Sequence, residues 1–148
     1  MRHLISMIGA VLLAACTNFT AEPQIVNPPI IFSIAPDGDG FILQVAAQNA
    51  EIGFIGYRLF AGSTEADVQN ANPNAGSDCG PFSELPIDAS FYFVEIKPDS
   101  NFVTPGRSNT ICAIQASPTS GQFIALRALL FNITSIDTSI SSNIILVP

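Results

Sequence analysis

Along most of this chain apolar residues recur with a period of two, interrupted by clusters of Pro, Gly, Asn, Asp and Ser. Alternation of that kind marks strands with one buried face, and the clusters mark the turns between them. Phe41, Leu43 and Val45 alternate with Ile42 and Gln44 after the turn sequence Pro36-Asp37-Gly38-Asp39-Gly40. Ile52 to Ala61 (IGFIGYRLFA) is rich in aromatic and branched residues, and Ala89 to Ile96 (ASFYFVEI) stops at Lys97-Pro98-Asp99. Thr110 to Ala116 (TICAIQA) ends at Ser117-Pro118, and Gln122 to Phe131 (QFIALRALLF) and Asn143 to Val147 (NIILV) follow. Gln122–Phe131 fits a helix by content, but its length is marginal for one and its neighbours are all strand-like. With Ile30 to Ile34 these make seven strands and no convincing helix. The expected fold is all-β: a seven-stranded antiparallel β-sandwich over residues 30–148.

The first residues follow a different pattern. A basic start, Arg2 and His3, leads into an apolar run from Leu4 that closes on Leu13-Ala14-Ala15-Cys16. The run is shorter than the roughly 20 apolar residues a membrane-crossing helix needs. With its small-residue exit it reads as a removable signal segment, residues 1–15. An apolar residue, two small residues and a cysteine resemble the lipobox of bacterial lipoproteins. That resemblance implies a diacylglyceryl group on Cys16, which becomes the first residue after cleavage. Several acyl chains then hold the protein on the lipid bilayer far more firmly than one. In those lipoproteins an Asp after the cysteine marks retention at the inner membrane; Thr17 stands here, which points to the outer membrane. Residues 16–29 read as the lipidated cysteine and a tether, made semi-rigid by Pro23, Pro28 and Pro29, that lifts the domain off the membrane.

Charge and cysteine content narrow the picture further. The whole chain carries −7, and loss of Arg2 with the signal segment makes the mature protein one unit more negative. Only Arg58, Lys97, Arg107 and Arg127 remain as cations. This disfavours nucleic acid, which needs clustered cations against phosphates, and electrostatic attachment to anionic lipid. Of three cysteines, a lipidated Cys16 leaves Cys79 and Cys112 as an even pair in an oxidising compartment. They are expected to be bridged, with two free buried thiols as the alternative.

Ile55-Gly56-Tyr57-Arg58-Leu59-Phe60 resembles the third strand of a fibronectin type III domain, an apolar-x-Tyr-basic-apolar pattern. Phe123-Ile124-Ala125-Leu126-Arg127-Ala128, a polar loop, and Ser142-Asn143-Ile144-Ile145-Leu146-Val147-Pro148 are similar to that family's last two strands. The resemblance implies a fold and no activity. The chain departs from the family in having no Trp, in placing Gln122 or Phe123 where a tyrosine is usual, and in its cysteine pair. A broader immunoglobulin-like sandwich stays open.

Candidate chemistry is sparse. Asp37-Gly38-Asp39-Gly40 looks like a fragment of a calcium loop, but Phe41 and Gln48 stand where an EF-hand needs oxygen ligands. A hairpin turn explains the same residues. The only histidine is His3, which removes the usual general base and metal ligand from the mature chain. Lys97, the one lysine, sits in a strand-ending turn, and Asp78, Glu84 and Asp88 in one loop read as solvated surface. Asn18-Phe19-Thr20 and Asn132-Ile133-Thr134 match the glycosylation sequon and read as polar turns. No cofactor or metal is expected. The long connection 62–88 and the polar stretch 132–142 (NITSIDTSISS) are the candidate contact surfaces for a protein or glycan partner. Residues 70–76 carry little apolar surface, so the sandwich is expected to tolerate their deletion. The resulting expectation is a non-enzymatic binding or structural module on a lipid anchor; the alternative is an accessory subunit of an envelope assembly or secretion complex.

Overall fold

The computed structural model describes residues 27–148. The signal segment, Cys16 and most of the tether lie outside the described residues. Nine strands and one short helix follow in the order β1 (Ile30–Asp37), β2 (Gly40–Ala47), β3 (Phe54–Gly62), α1 (Glu65–Gln69), β4 (Ser77–Asp78), β5 (Ser90–Lys97), β6 (Thr110–Gln115), β7 (Phe123–Asn132), β8 (Ser135–Thr138) and β9 (Ile145–Leu146). The architecture is all-β, in two sheets. One sheet has the order β1-β2-β5-β6, the other β4-β3-β7-β8, with β9 paired to the start of β7.

Two features differ from seven antiparallel strands. Short strands β4 and β8 lie inside the stretches read as loops 62–88 and 132–142. The second difference is that β5 and β6 pair in parallel, Phe93 opposite Thr110 and Lys97 opposite Gln115. Parallel neighbours need a crossover of about a dozen residues rather than a tight turn. Residues 98–109 supply it, running back over the outer face of the sheet.

Alternation places Leu43 and Val45 of β2 and Val94 and Ile96 of β5 against Tyr57 and Leu59 of β3 and Ile124, Leu126 and Ala128 of β7, all buried. Each fully buried Leu, Ile or Val contributes about 1.5–3 kcal/mol by leaving water. β7 is buried on both faces from Ile124 to Leu130, which is why its sequence carries no clean period of two. The edges of the sandwich are tied across the two sheets. On one side Cys79, just after β4, is bridged to Cys112 of β6, with Cα atoms 5.7 Å apart. On the other side the Asn143 amide pairs with the Ile31 backbone: Nδ2 donates to the carbonyl and Oδ1 accepts from the N–H, both at 2.8 Å.

Inside the core the Tyr57 hydroxyl donates to Asn49 Oδ1 at 2.6 Å. Asn49 in turn holds two other segments: its Nδ2 donates to Asn27 O (3.0 Å) and its N–H to Pro86 O (2.7 Å). Burial, reinforced by the nearby Glu51 carboxylate, raises the Tyr57 phenol far above its ordinary value. The phenol stays neutral in the folded protein at a pH where the unfolded chain ionises, so its stabilising contribution is complete below about pH 10 and declines above it. Tyr57→Phe should lower stability at pH 7 by about 1–3 kcal/mol through the unpaired Asn49 oxygen. The gap between variant and wild type in urea melts should narrow as pH rises past 10; a constant gap would contradict the buried neutral phenol.

Candidate functional site

The outer face of the second sheet carries two arginines directly opposite each other, Arg58 on β3 and Arg127 on β7. Like charges in facing positions repel, and both side chains are nearly buried. The 62–88 connection resolves this. Arg58 forms a two-pronged ion pair with Asp78, Nε to Oδ1 and Nη2 to Oδ2 (2.7 Å), and its Nη1 donates to Pro73 O. The hydrogen bonds to Asp78 hold the Arg58 pKa above its usual value. Among the described residues Arg127 has no carboxylate partner. Its Nη2 donates to Gln69 O (3.0 Å) and Val68 O (3.4 Å), its Nη1 to Ala71 O (3.5 Å), and its guanidinium lies 4.4 Å over the Phe60 ring. The positive head thus meets the carbonyl end of α1, where a cation is favoured.

Thr64 and Asp67 start that helix with reciprocal bonds. Thr64 Oγ1 accepts from the Asp67 N–H at 3.1 Å, and Asp67 Oδ2 accepts from the Thr64 N–H at 2.9 Å. This capping pattern, Thr-x-x-Asp, was present in the sequence and is the signal for α1. Val68 buries its side chain against Phe60 and Ala125. The connection is therefore a cover packed on the sheet, not a self-contained insertion. The expectation that 70–76 could be removed at little cost is corrected, because Ala71 O and Pro73 O receive the two arginines.

Arg127 also reaches the second candidate loop, donating from Nε to Ser141 Oγ at 3.0 Å. A polar cleft opens there, lined by Gln69, Arg127, Ser139, Ser141 and Ile144. The two stretches read as separate contact surfaces, 62–88 and 132–142, thus meet at one side chain. Arg127→Ala should cost about 2–3 kcal/mol, through carbonyls left without donors and an uncovered Phe60. Amide exchange should rise first at Asn70, whose N–H closes the last turn of α1. Uniform exchange with no excess at α1 would show that Arg127 does not hold the cover.

On the outer face of the first sheet the crossover 98–109 is held by Glu95, whose side chain is only 1% exposed. Its Oε2 accepts from Thr104 N–H and Thr104 Oγ1, both at 3.0 Å. Arg107 Nε lies 3.1 Å from Oε1 as an ion pair without hydrogen-bond alignment. Arg107 continues to Asp37 (Nη1 to Oδ2, 2.8 Å), which raises its pKa, while Lys97 Nζ lies 3.6 Å from Glu95 and donates to Phe102 O. Two acids and two bases balance, and every contact except the Lys97–Glu95 pair, which lies within β5, ties the crossover to the sheet. Sequence reading left Glu95, Thr104 and Arg107 unassigned because an outward-facing strand residue gains meaning only when another segment covers it. Arg107→Ala should cost about 1–3 kcal/mol in denaturant melts, since it weakens the pairing of a buried carboxylate. Asp37→Ala removes a half-exposed pair and should cost under about 1 kcal/mol. The reverse order would refute Glu95 as the anchor.

The remaining expected positions fall as follows. Asp37 and Gly40 pair across the β1–β2 hairpin, with Gly38 at φ 59°, the turn conformation expected of those residues. Lys97 ends β5 and joins the Glu95 cluster. Asp78 is held by Arg58 and is thereby withdrawn from any pairing with Glu84 or Asp88. Asn132 sits at the exposed β7–β8 hairpin, and Asn18 lies outside the described residues. Among the described residues no group of three or more His, Cys, Asp or Glu could hold a metal ion. The fold defines the class as an all-β protein of two packed sheets with one disulfide. Beyond that class, comparison with protein-family models, curated proteins and solved structures finds no match to this chain.

Proposed function

We propose that this chain is a lipid-anchored protein of the bacterial cell envelope, at the outer membrane, carrying a non-enzymatic binding or structural β-sandwich. One observation carries the reading. Of the three cysteines, two are bridged within the domain, and the third follows Leu13-Ala14-Ala15 behind an apolar run. A bridged pair fits an oxidising compartment, and the remaining cysteine stands where the lipobox pattern puts the acyl chains. Within the all-β class we read the domain as fibronectin type III-like, on the β3 and β7 sequences; the parallel β5–β6 pair is its main departure from that family. The surface we assign to a protein or glycan partner is the one formed where residues 62–88 and 132–142 meet around Arg127. The accessory-subunit reading draws support from β1, an eight-residue strand at the end of its sheet, since an edge strand can accept a strand from a partner, here beyond Ile31, whose backbone Asn143 already occupies.

Cys16→Ser tests the anchor. The native chain should partition into the detergent phase and yield a Cys16 peptide carrying the mass of acyl chains. The variant should lack that mass and move to the aqueous phase. An unmodified Cys16 in the native chain would overturn the reading.

A further inference from the structure

Most of the large apolar side chains left in water gather at one end of the sandwich, the end at which the described chain begins; Phe102, Ile140 and Leu146 lie elsewhere. Ile52, at the β2–β3 turn, and Ile133, at the β7–β8 turn, are each 91% exposed. The two turns are joined, because the Phe131 N–H donates to Gly53 O at 2.7 Å. Gly53 has φ 99°, and a Cβ there would collide with the Phe131 carbonyl, so the close approach requires glycine. Phe131 and Ile136 flank the second turn, and both are more than half-exposed or nearly so. Leu85 and Ile87 project from the loop that Asn49 holds through Pro86 O. The same Asn49 holds Asn27, where the chain enters the domain. Two further apolar loops and the chain entry therefore converge on the β2–β3 turn, Asn49–Gly53.

We infer that this end of the domain inserts shallowly into the bilayer interface, with Ile52 and Ile133 deepest. The inference rests on the lipid-anchor reading and specifies what the anchored domain does next. Exposed apolar clusters of this kind mark surfaces that meet a protein or a membrane. The length of the preceding chain and the place where Asn27 joins the domain favour the membrane. Cys16 precedes Asn27 by eleven residues, which span at most about 40 Å when fully extended. That segment enters at the apolar end, so an acylated Cys16 keeps this end as the one nearest the lipid. Charge sets the kind of lipid. Residues 48–53, 82–90 and 131–136 contain Glu51, Glu84 and Asp88 and no Lys or Arg, so the contact is apolar and suits zwitterionic rather than anionic headgroups. The carboxylates of Glu84 and Asp88, both exposed, limit the depth to the interface. The tether thus holds the domain against the bilayer instead of lifting it clear.

The absence of tryptophan from the chain gives a clean test. The full acylated protein carrying I133W, I52W or, at the opposite end, S120W is reconstituted into phosphatidylcholine vesicles with and without brominated acyl chains. I133W and I52W should shift their emission to the blue on reconstitution and lose most of it to brominated lipid, while S120W keeps its emission. Emission from I133W and I52W that resists bromine would overturn the inference. If it is blue-shifted yet unquenched, the apolar end is covered by protein, either a second copy or another segment of this chain. The mass of the Cys16 peptide in the same sample reads the anchor separately. Quenching without acylation would leave the insertion standing and remove the anchor; acylation without quenching would do the reverse.

Discussion

A buried carboxylate on the outer face of a sheet needs a cover that supplies donors, and Glu95 has one in the crossover from β5 to β6. Thr104 and Arg107 pull residues 98–109 back across the sheet, which allows β6 to lie parallel to β5 instead of folding back as a hairpin. The register that results, Val94 opposite Cys112, puts Cys112 within a bond of Cys79. The disulfide then closes one edge of the sandwich and fixes the second half of the 62–88 connection. A loop closed over a sequence separation of 33 is stabilised by roughly 3–4 kcal/mol in the chain-entropy account, provided the two cysteines already meet. Glu95 and its partners hold the crossover that leads into the strand carrying Cys112.

The facing arginines impose the complementary constraint on the other sheet. Two cations at directly opposed positions would be a liability on a bare face. Asp78 neutralises one, and the carbonyl end of α1 accepts the other. The cover is recruited by the charges it compensates, and its exposed rim becomes the polar cleft shared with Ser139 and Ser141. The surface offered to a partner and the device that stabilises the sheet are thus built from the same side chains. A substitution at Arg127 acts on both.

The molecule is polar along its length. One end carries the acidic β1–β2 hairpin and the balanced cluster of Glu95, Arg107, Asp37 and Lys97. The other end gathers the chain entry and the exposed Ile52 and Ile133. For a protein anchored as proposed, such a division would orient the domain with its apolar end toward lipid and the Arg127 cleft along the side of the sandwich.

Sequence by itself determined the strands. Residue pattern and turn clusters placed the six long ones, β1, β2, β3, β5, β6 and β7, and the two-residue β9 to within a few residues but missed β4 and β8, because side-chain alternation and turn chemistry are local properties. It also pointed to the cysteine pair by parity, and it contained the Thr64–Asp67 capping signal that reveals α1. What only tertiary structure decided is which segment covers which face. Glu95 reads as a solvent-facing strand residue until the crossover lies over it. Arg58 and Arg127 read as ordinary outward cations until the register sets them face to face. Removal of 70–76 looked harmless because that stretch has few apolar side chains, yet its contribution comes from backbone carbonyls, which every residue has and no residue pattern distinguishes. The direction of β6 was equally hidden. A strand's amphipathic pattern reads the same whether its neighbour runs parallel or antiparallel, and the direction follows from how the crossover 98–109 lies across the sheet, held there by Glu95.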